Sequence, residues 1–130
     1  MEAVWESSTM RSFVEQVQSK TGLSADEASR VSRAALTTLA ESVSGGQVDD
    51  LTQGLPPELQ HELSQRGGQA RALDKAAFLD RVSGEIATTD LETTEQQVRA
   101  VLTTLRDWAP EGETGDTEAQ LPGSIAELFR

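Results

Sequence analysis

Arg33 and Arg99 stand at the same place in two copies of one heptapeptide, RAALTTL (33–39) and RAVLTTL (99–105), which share six of seven residues. A guanidinium is a planar fork of donors that matches carboxylate and phosphate geometry. Two of them placed symmetrically beside an apolar face could receive one dianionic ligand or a partner's carboxylates. The competing use is an internal ion pair with an acid such as Glu15 or Asp80. Arg33 and Arg99 are the candidate ligand or partner contacts; no catalytic, cofactor-binding or metal-ligating residue is assigned.

Other reactive types do not assemble a site. His61 is the one histidine, between Gln60 and Glu62, and Glu127 takes its place in the second copy. A lone imidazole could act as base or ligand, but that position suits a solvated helix face. Asp49 and Asp50, and later Glu111, Glu113, Asp116 and Glu118, could offer oxygens to a hard cation. They lack the alternating ligand spacing of an EF-hand, and acids are favoured at helix N-termini anyway. No G-x-S-x-G elbow accompanies the serines, and Gly45-Gly46 and Gly67-Gly68 lack the lysine of a phosphate loop and read as helix stops. Trp5 has no counterpart in the repeat and is expected to cover an edge of the bundle or to anchor a partner, whereas Trp108 ends a core helix. The chain is therefore expected not to be an enzyme.

The elements that carry these residues are helical and come twice. Phe13 to Val17 match Phe78 to Val82 at a shift of 65, and Leu55-Pro56, Leu59 and Leu63 match Leu121-Pro122, Ile125 and Phe129 at a shift of 66. Met10, Phe13, Val14 and Val17 form an apolar stripe at helical spacing, as do Phe78, Leu79, Val82 and Ile86. Thr9 and Asp74 are the expected caps of these helices, with Leu73 stapling against Phe78, and Gly22 is expected to stop the first. A longer helix follows in each copy. One opens on a Ser24/Glu27 capping box and is stopped by Gly45-Gly46; the other opens on Asp90 and ends before Pro110. A short helical turn, a Leu-Pro hinge and a closing helix complete each copy.

The expectation is an all-α fold: one helical domain, residues 10–130, made of two pseudo-symmetric four-helix repeats (10–66 and 73–130) joined by a linker at 67–72, after an extension at 1–9. Neither half is expected to bury its stripes alone. A monomer folded about a pseudo-twofold axis and a homodimer swapped through Gln65 to Ala72 would use the same contacts.

These motifs, in their order and duplicated, resemble the bacterial and archaeal family called domain of unknown function 2267. The likeness runs from about Met10 to Phe129. It implies an all-helical fold, in members that occur alone or beside other domains such as small-ligand-binding CBS modules. It implies no established enzymatic activity, so no catalytic residue is carried over.

Composition bounds the function. The formal charge is -11 in 130 residues, with no cysteine. The acidity is spread evenly: residues 1–66 carry 5 basic and 10 acidic groups, and residues 67–130 carry 6 and 12. Such a field repels phosphate backbones and anionic membranes, and no basic stripe is visible, so neither nucleic acid nor membrane is an expected partner. Only Lys20 and Lys75 are lysines. That scarcity fits a salt-rich cytoplasm or a high-GC genome. With no basic or apolar leader at the N-terminus, a cytoplasmic location is expected. The expected role is a non-enzymatic interaction or accessory protein, with stress tolerance as one setting, a protein partner and no cofactor. The alternative is a sensor of an anion or small metabolite at the interface between the repeats.

Overall fold

The structure, a computed structural model, describes residues 7–67, 72–86 and 90–130. Trp5 and most of the anticipated linker lie outside them. Among the described residues there are eight α-helices and no strand: α1 (Ser8–Thr21), α2 (Ala25–Ser42), α3 (Gly45–Leu51), α4 (Pro57–Ser64), α5 (Lys75–Ile86), α6 (Leu91–Trp108), α7 (Glu113–Ala119) and α8 (Gly123–Ala126). Single 3₁₀ turns at Thr52–Gly54 and Glu127–Phe129 follow α3 and α8.

Caps set most boundaries. Ser24 accepts from the Glu27 N–H while the Glu27 carboxylate accepts from the Ser24 N–H, a complete capping box that opens α2. Asp90 accepts from the Glu92 N–H at the start of α6, and Asp74 from the Ala77 N–H before α5 (2.8 Å). Gly22 ends α1 at φ 79°, a conformation glycine adopts without a Cβ penalty, and its N–H returns to the Gln18 carbonyl.

Two boundaries differ from the sequence-based expectation. The cap of α1 is Ser7, whose hydroxyl accepts from the Met10 N–H at 3.1 Å, so Thr9 lies inside the first turn. Ser7 is held by a distant group: its N–H and hydroxyl both donate to the Glu58 carboxylate on α4, at 2.6 and 2.9 Å. Gly45-Gly46 does not stop α2. Val43 turns extended (φ -128°, ψ 171°) and ends it, Ser44 accepts from the Gln47 N–H, and the glycines form the first turn of α3.

The four longer helices enclose the core. α1 packs on α2 and α6, α5 packs on α6 and α2, and α2 and α6 also pack together. The short helices α3 and α7 meet each other, α4 returns to α2, and the turn after α8 returns to α6. One continuous apolar cluster results, with Phe13, Phe78 and Phe129 fully buried. The faces meeting it follow the stripes expected from spacing, including Leu36 and Leu39 and their counterparts Leu102 and Leu105, except that Leu91, expected to open the stripe of α6, is exposed at its first turn. The Thr pairs beside them bond back into their own helices: Thr38 and Thr104 donate to the carbonyls of Ala34 and Ala100 at 2.8 and 2.7 Å. A hydroxyl satisfied in this way can be buried against a neighbouring helix, as both of these are. Among the described residues no helix is long and apolar enough to cross a membrane.

Candidate functional site

Each candidate arginine sits near the middle of its long helix, and each reaches a different acid. Arg33 Nη1 lies 2.6 Å from Glu62 Oε1 on α4. Arg99 donates through Nε and Nη2 to Glu95 Oε2, one turn earlier on α6, at 3.2 and 3.0 Å, and through Nη1 to the Glu127 carbonyl. Ion pairing takes place, but with Glu62 and Glu95, where the expectation named Glu15 or Asp80. For Arg33 the reason is tertiary: α4 lies against α2 and brings Glu62 within reach. Arg99 takes the acid one turn earlier on its own helix, an i,i+4 pair, together with the carbonyl of Glu127.

Glu95 also takes Lys75 from α5, Nζ to Oε2 at 3.1 Å. The hydrogen bond from Lys75 lowers the Glu95 carboxyl below its ordinary value of 4.5; burial opposes this, and Arg99 adds to the lowering. A carboxyl whose folded-state pKa is depressed contributes stability that is present above the ordinary value and lost as pH falls through the folded-state value. Glu95→Gln is therefore expected to lower Tm at pH 7 and to cost progressively less as pH falls below the ordinary value, so its Tm falls less steeply than wild type between about pH 5 and pH 3. Thermal melts across that range would check it; parallel curves would contradict it.

Around Arg33 the structure opens a cleft of about 220 Å³ between α2, α4 and α5. Arg30, Arg33, Arg66 and Arg81 line it, opposed by Glu41, Glu62 and Glu85, and the hydroxyl-bearing Thr37 and Thr38 stand at its wall. Arg99 is not among its lining residues. Four of the chain's 11 basic residues thus converge on one spot of a strongly acidic protein. Arg30 and Arg33 are neighbours on one helical face, a visible signal, but Arg66 follows α4 and Arg81 rides on α5, so only the packing of α2 on α4 and α5 collects them.

Glu41 organises one side of the cleft. Its side chain is only 6% exposed, and it holds Arg66 at 3.2 Å through Oε2 and Arg81 at 2.6 Å through Oε1. The Arg81 approach is an ion pair without an aligned N–H, so Oε1 has no hydrogen-bond donor among the described residues. The clamp ties α2 to α5 and to the segment after α4. Arg30 makes no ion pair within 4 Å among the described residues and is exposed.

The remaining candidates stay apart from this cleft. His61 is exposed, 3.3 Å from the Gln65 amide nitrogen, and lines a shallow surface groove with Asp49 and Gln60. In the acidic segments, Glu113 accepts from Gln47 through its carbonyl and its carboxylate, and Glu118 pairs with Arg130. Among the described residues no group of three or more His, Asp or Glu is placed to hold a metal ion. Trp108 is half-buried: its indole N–H donates to Gln16 Oε1 at 3.0 Å and its ring meets Phe13 edge-on.

These features define an all-helical protein with an arginine-lined cleft at the meeting of α2, α4 and α5. Residues 10–128 match the family described as uncharacterized conserved protein (DUF2267), and the chain belongs to that family. No curated protein matches the chain.

Proposed function

We propose that the chain consists of two tandem four-helix repeats, α1–α4 and α5–α8, packed about a pseudo-twofold axis, and that it is a non-enzymatic accessory protein that binds a small anion in the cleft between them. The repeat reading rests on the duplicated motifs and on reciprocal packing, in which α1 crosses to α6 and α5 crosses to α2. The functional reading rests on one observation, the convergence of four guanidinium groups in a protein whose net charge is -11. Preserving that cluster against the overall field makes sense where an anionic group must be received.

A protein partner would want an apolar centre to its contact surface. Among the described residues Leu91 is the only large apolar side chain that is exposed, at 42%. That favours a small ligand. Both arginines are ion-paired, Arg33 with Glu62 and Arg99 with Glu95, but only Arg33 lines the cleft, so in this reading Arg99 serves stability and Arg33 serves the ligand.

The test is a thermal-shift titration of the full chain with phosphate and with succinate, each against sodium chloride at matched ionic strength, in wild type and in an Arg30→Ala/Arg33→Ala variant. A bound ligand at ~100 times its Kd raises stability by about 2.7 kcal/mol. The expected result is a saturating rise in Tm in wild type that is lost in the variant. A response equal to that of chloride, or one retained in the variant, would overturn the anion site.

A further inference from the structure

The two halves treat equivalent grooves differently. Where α1 crosses α6, the Lys20 ammonium donates to both hydroxyls of the second Thr pair, Thr103 Oγ1 at 3.1 Å and Thr104 Oγ1 at 2.9 Å. The Gln16 to Trp108 hydrogen bond spans the same crossing. Where α5 crosses α2 the polar link is the Arg81–Glu41 ion pair, and among the described residues no side chain donates to Thr37 or Thr38. At the shift of 65 that aligns the two first helices, the counterpart of Lys20 is Glu85 and that of Gln16 is Arg81; at the shift of 66 that aligns the second helices, the counterpart of Trp108 is Ser42. The cation is gone and an acid stands in its place, and that groove is the open cleft.

The Thr pairs themselves are unchanged. Thr37 donates to the Arg33 carbonyl at 2.7 Å and Thr38 to the Ala34 carbonyl at 2.8 Å. Thr103 and Thr104 do the same to Arg99 and Ala100, at 2.8 and 2.7 Å. With the hydroxyl proton committed to the backbone, each oxygen faces the groove as an acceptor. In one groove the chain's own ammonium uses both acceptors; in the other they are open to the cleft. Glu85 adds acceptor oxygens there, and the nine-tenths-buried Glu41 faces the same cleft, its Oε1 ion-paired with Arg81 at 2.6 Å but without a hydrogen-bond donor among the described residues. A cleft meant for an anion alone has no use for so many acceptors.

Resting on the anion site argued above, we infer that the ligand is a small amino acid bound as its zwitterion. Its ammonium lies on Thr37 and Thr38, in the place Lys20 holds on Thr103 and Thr104, and its carboxylate faces Arg30 and Arg33. Lys20 is then the chain's internal copy of half the ligand. One groove binds and the other is permanently filled, so the stoichiometry is one ligand per chain.

Calorimetric titration of the full chain with glycine, γ-aminobutyrate and 6-aminohexanoate, each paired with the carboxylate lacking the amine (acetate, butyrate, hexanoate), tests this. At least one amino acid is expected to bind about tenfold or more tighter than its paired carboxylate, the worth of a hydrogen bond to a charged group. Glu85→Lys, which writes the filled groove's residue into the open one, is expected to fold normally and to lose that gain. Carboxylates binding as tightly as their amino acids would overturn the zwitterion and leave the anion site standing. No binding of either kind would remove both. Undiminished amino-acid binding by a folded Glu85→Lys would place the ammonium elsewhere and overturn the inference.

Discussion

Gly54→Ala is expected to destabilise the protein by about 3 kcal/mol, at the upper end of what overpacking costs, and to lower Tm by roughly 10 °C. Gly54 closes the 3₁₀ turn after α3 against the last turn of α6. A Cβ built there would sit 1.8 Å from the Trp108 carbonyl oxygen, 2.9 Å from its carbon and 3.3 Å from Ala109 Cα. All three are backbone atoms, so no rotamer change relieves the clash and the two segments must part. Parting them disturbs the end of α6, where the Ala109 N–H closes the helix on the Leu105 carbonyl and the Trp108 indole meets Gln16 and Phe13. The effect should therefore register as a fall in Tm and, in a Trp5→Phe background that leaves Trp108 as the only tryptophan, as a red shift of its emission. A Tm within about 2 °C of wild type, a change of well under 1 kcal/mol, would mean that the approach relaxes without cost.

The same position shows where reading by repeat stops being informative. The counterpart of Gly54 at a shift of 66 is Gln120, which carries a full side chain and uses it, its Oε1 accepting from the Ser44 N–H at 2.9 Å. Nothing in the spacing of Gly54 distinguishes it from an ordinary turn glycine; the requirement comes from a helix end 54 residues later in the chain. Ser7 took the cap from Thr9 for a similar reason, because Glu58 on α4 grips it.

Local signals, by contrast, were legible. Periodicity located the four longer helices and their buried faces, and short-range capping chemistry located Gly22, Ser24, Asp74 and Asp90. Glycine pairs misled at Gly45-Gly46 because glycine also serves in a first helical turn once a serine precedes it. The cleft was only half visible. Arg33 was singled out by duplication, and it does line the cleft. Arg30 and Arg81 stand opposite Gln96 and Gln16 in the other copy, so duplication does not single them out: the asymmetry between copies, not their likeness, marks the open groove.

That asymmetry also orders the two largest core truncations. Phe13 and Phe78 occupy equivalent places on α1 and α5, and both are fully buried. Phe13→Ala and Phe78→Ala are each expected to cost about 3–5 kcal/mol, from lost transfer energy and the cavity left behind. Their environments are not the same. Phe13 meets Trp108 in a T-shaped contact, ring centroids 5.5 Å apart and planes at 69°, and aromatic pairs of this kind add about 0.5–1.5 kcal/mol beyond the area they bury. At the shift of 66 the residue in Trp108's place is Ser42, whose hydroxyl donates to the Thr38 carbonyl at 2.9 Å, and among the described residues no aromatic ring pairs with Phe78. Phe13→Ala should therefore be the more damaging, by roughly the worth of the pair. Since a domain of this size has only about 5–15 kcal/mol to lose, both variants should be compared by urea unfolding at low temperature, with Trp108→Leu as the second edge of a double-mutant cycle. A coupling energy between Phe13 and Trp108 near zero, or a Phe78→Ala variant that is the less stable of the two, would show that the aromatic contact adds nothing beyond packing.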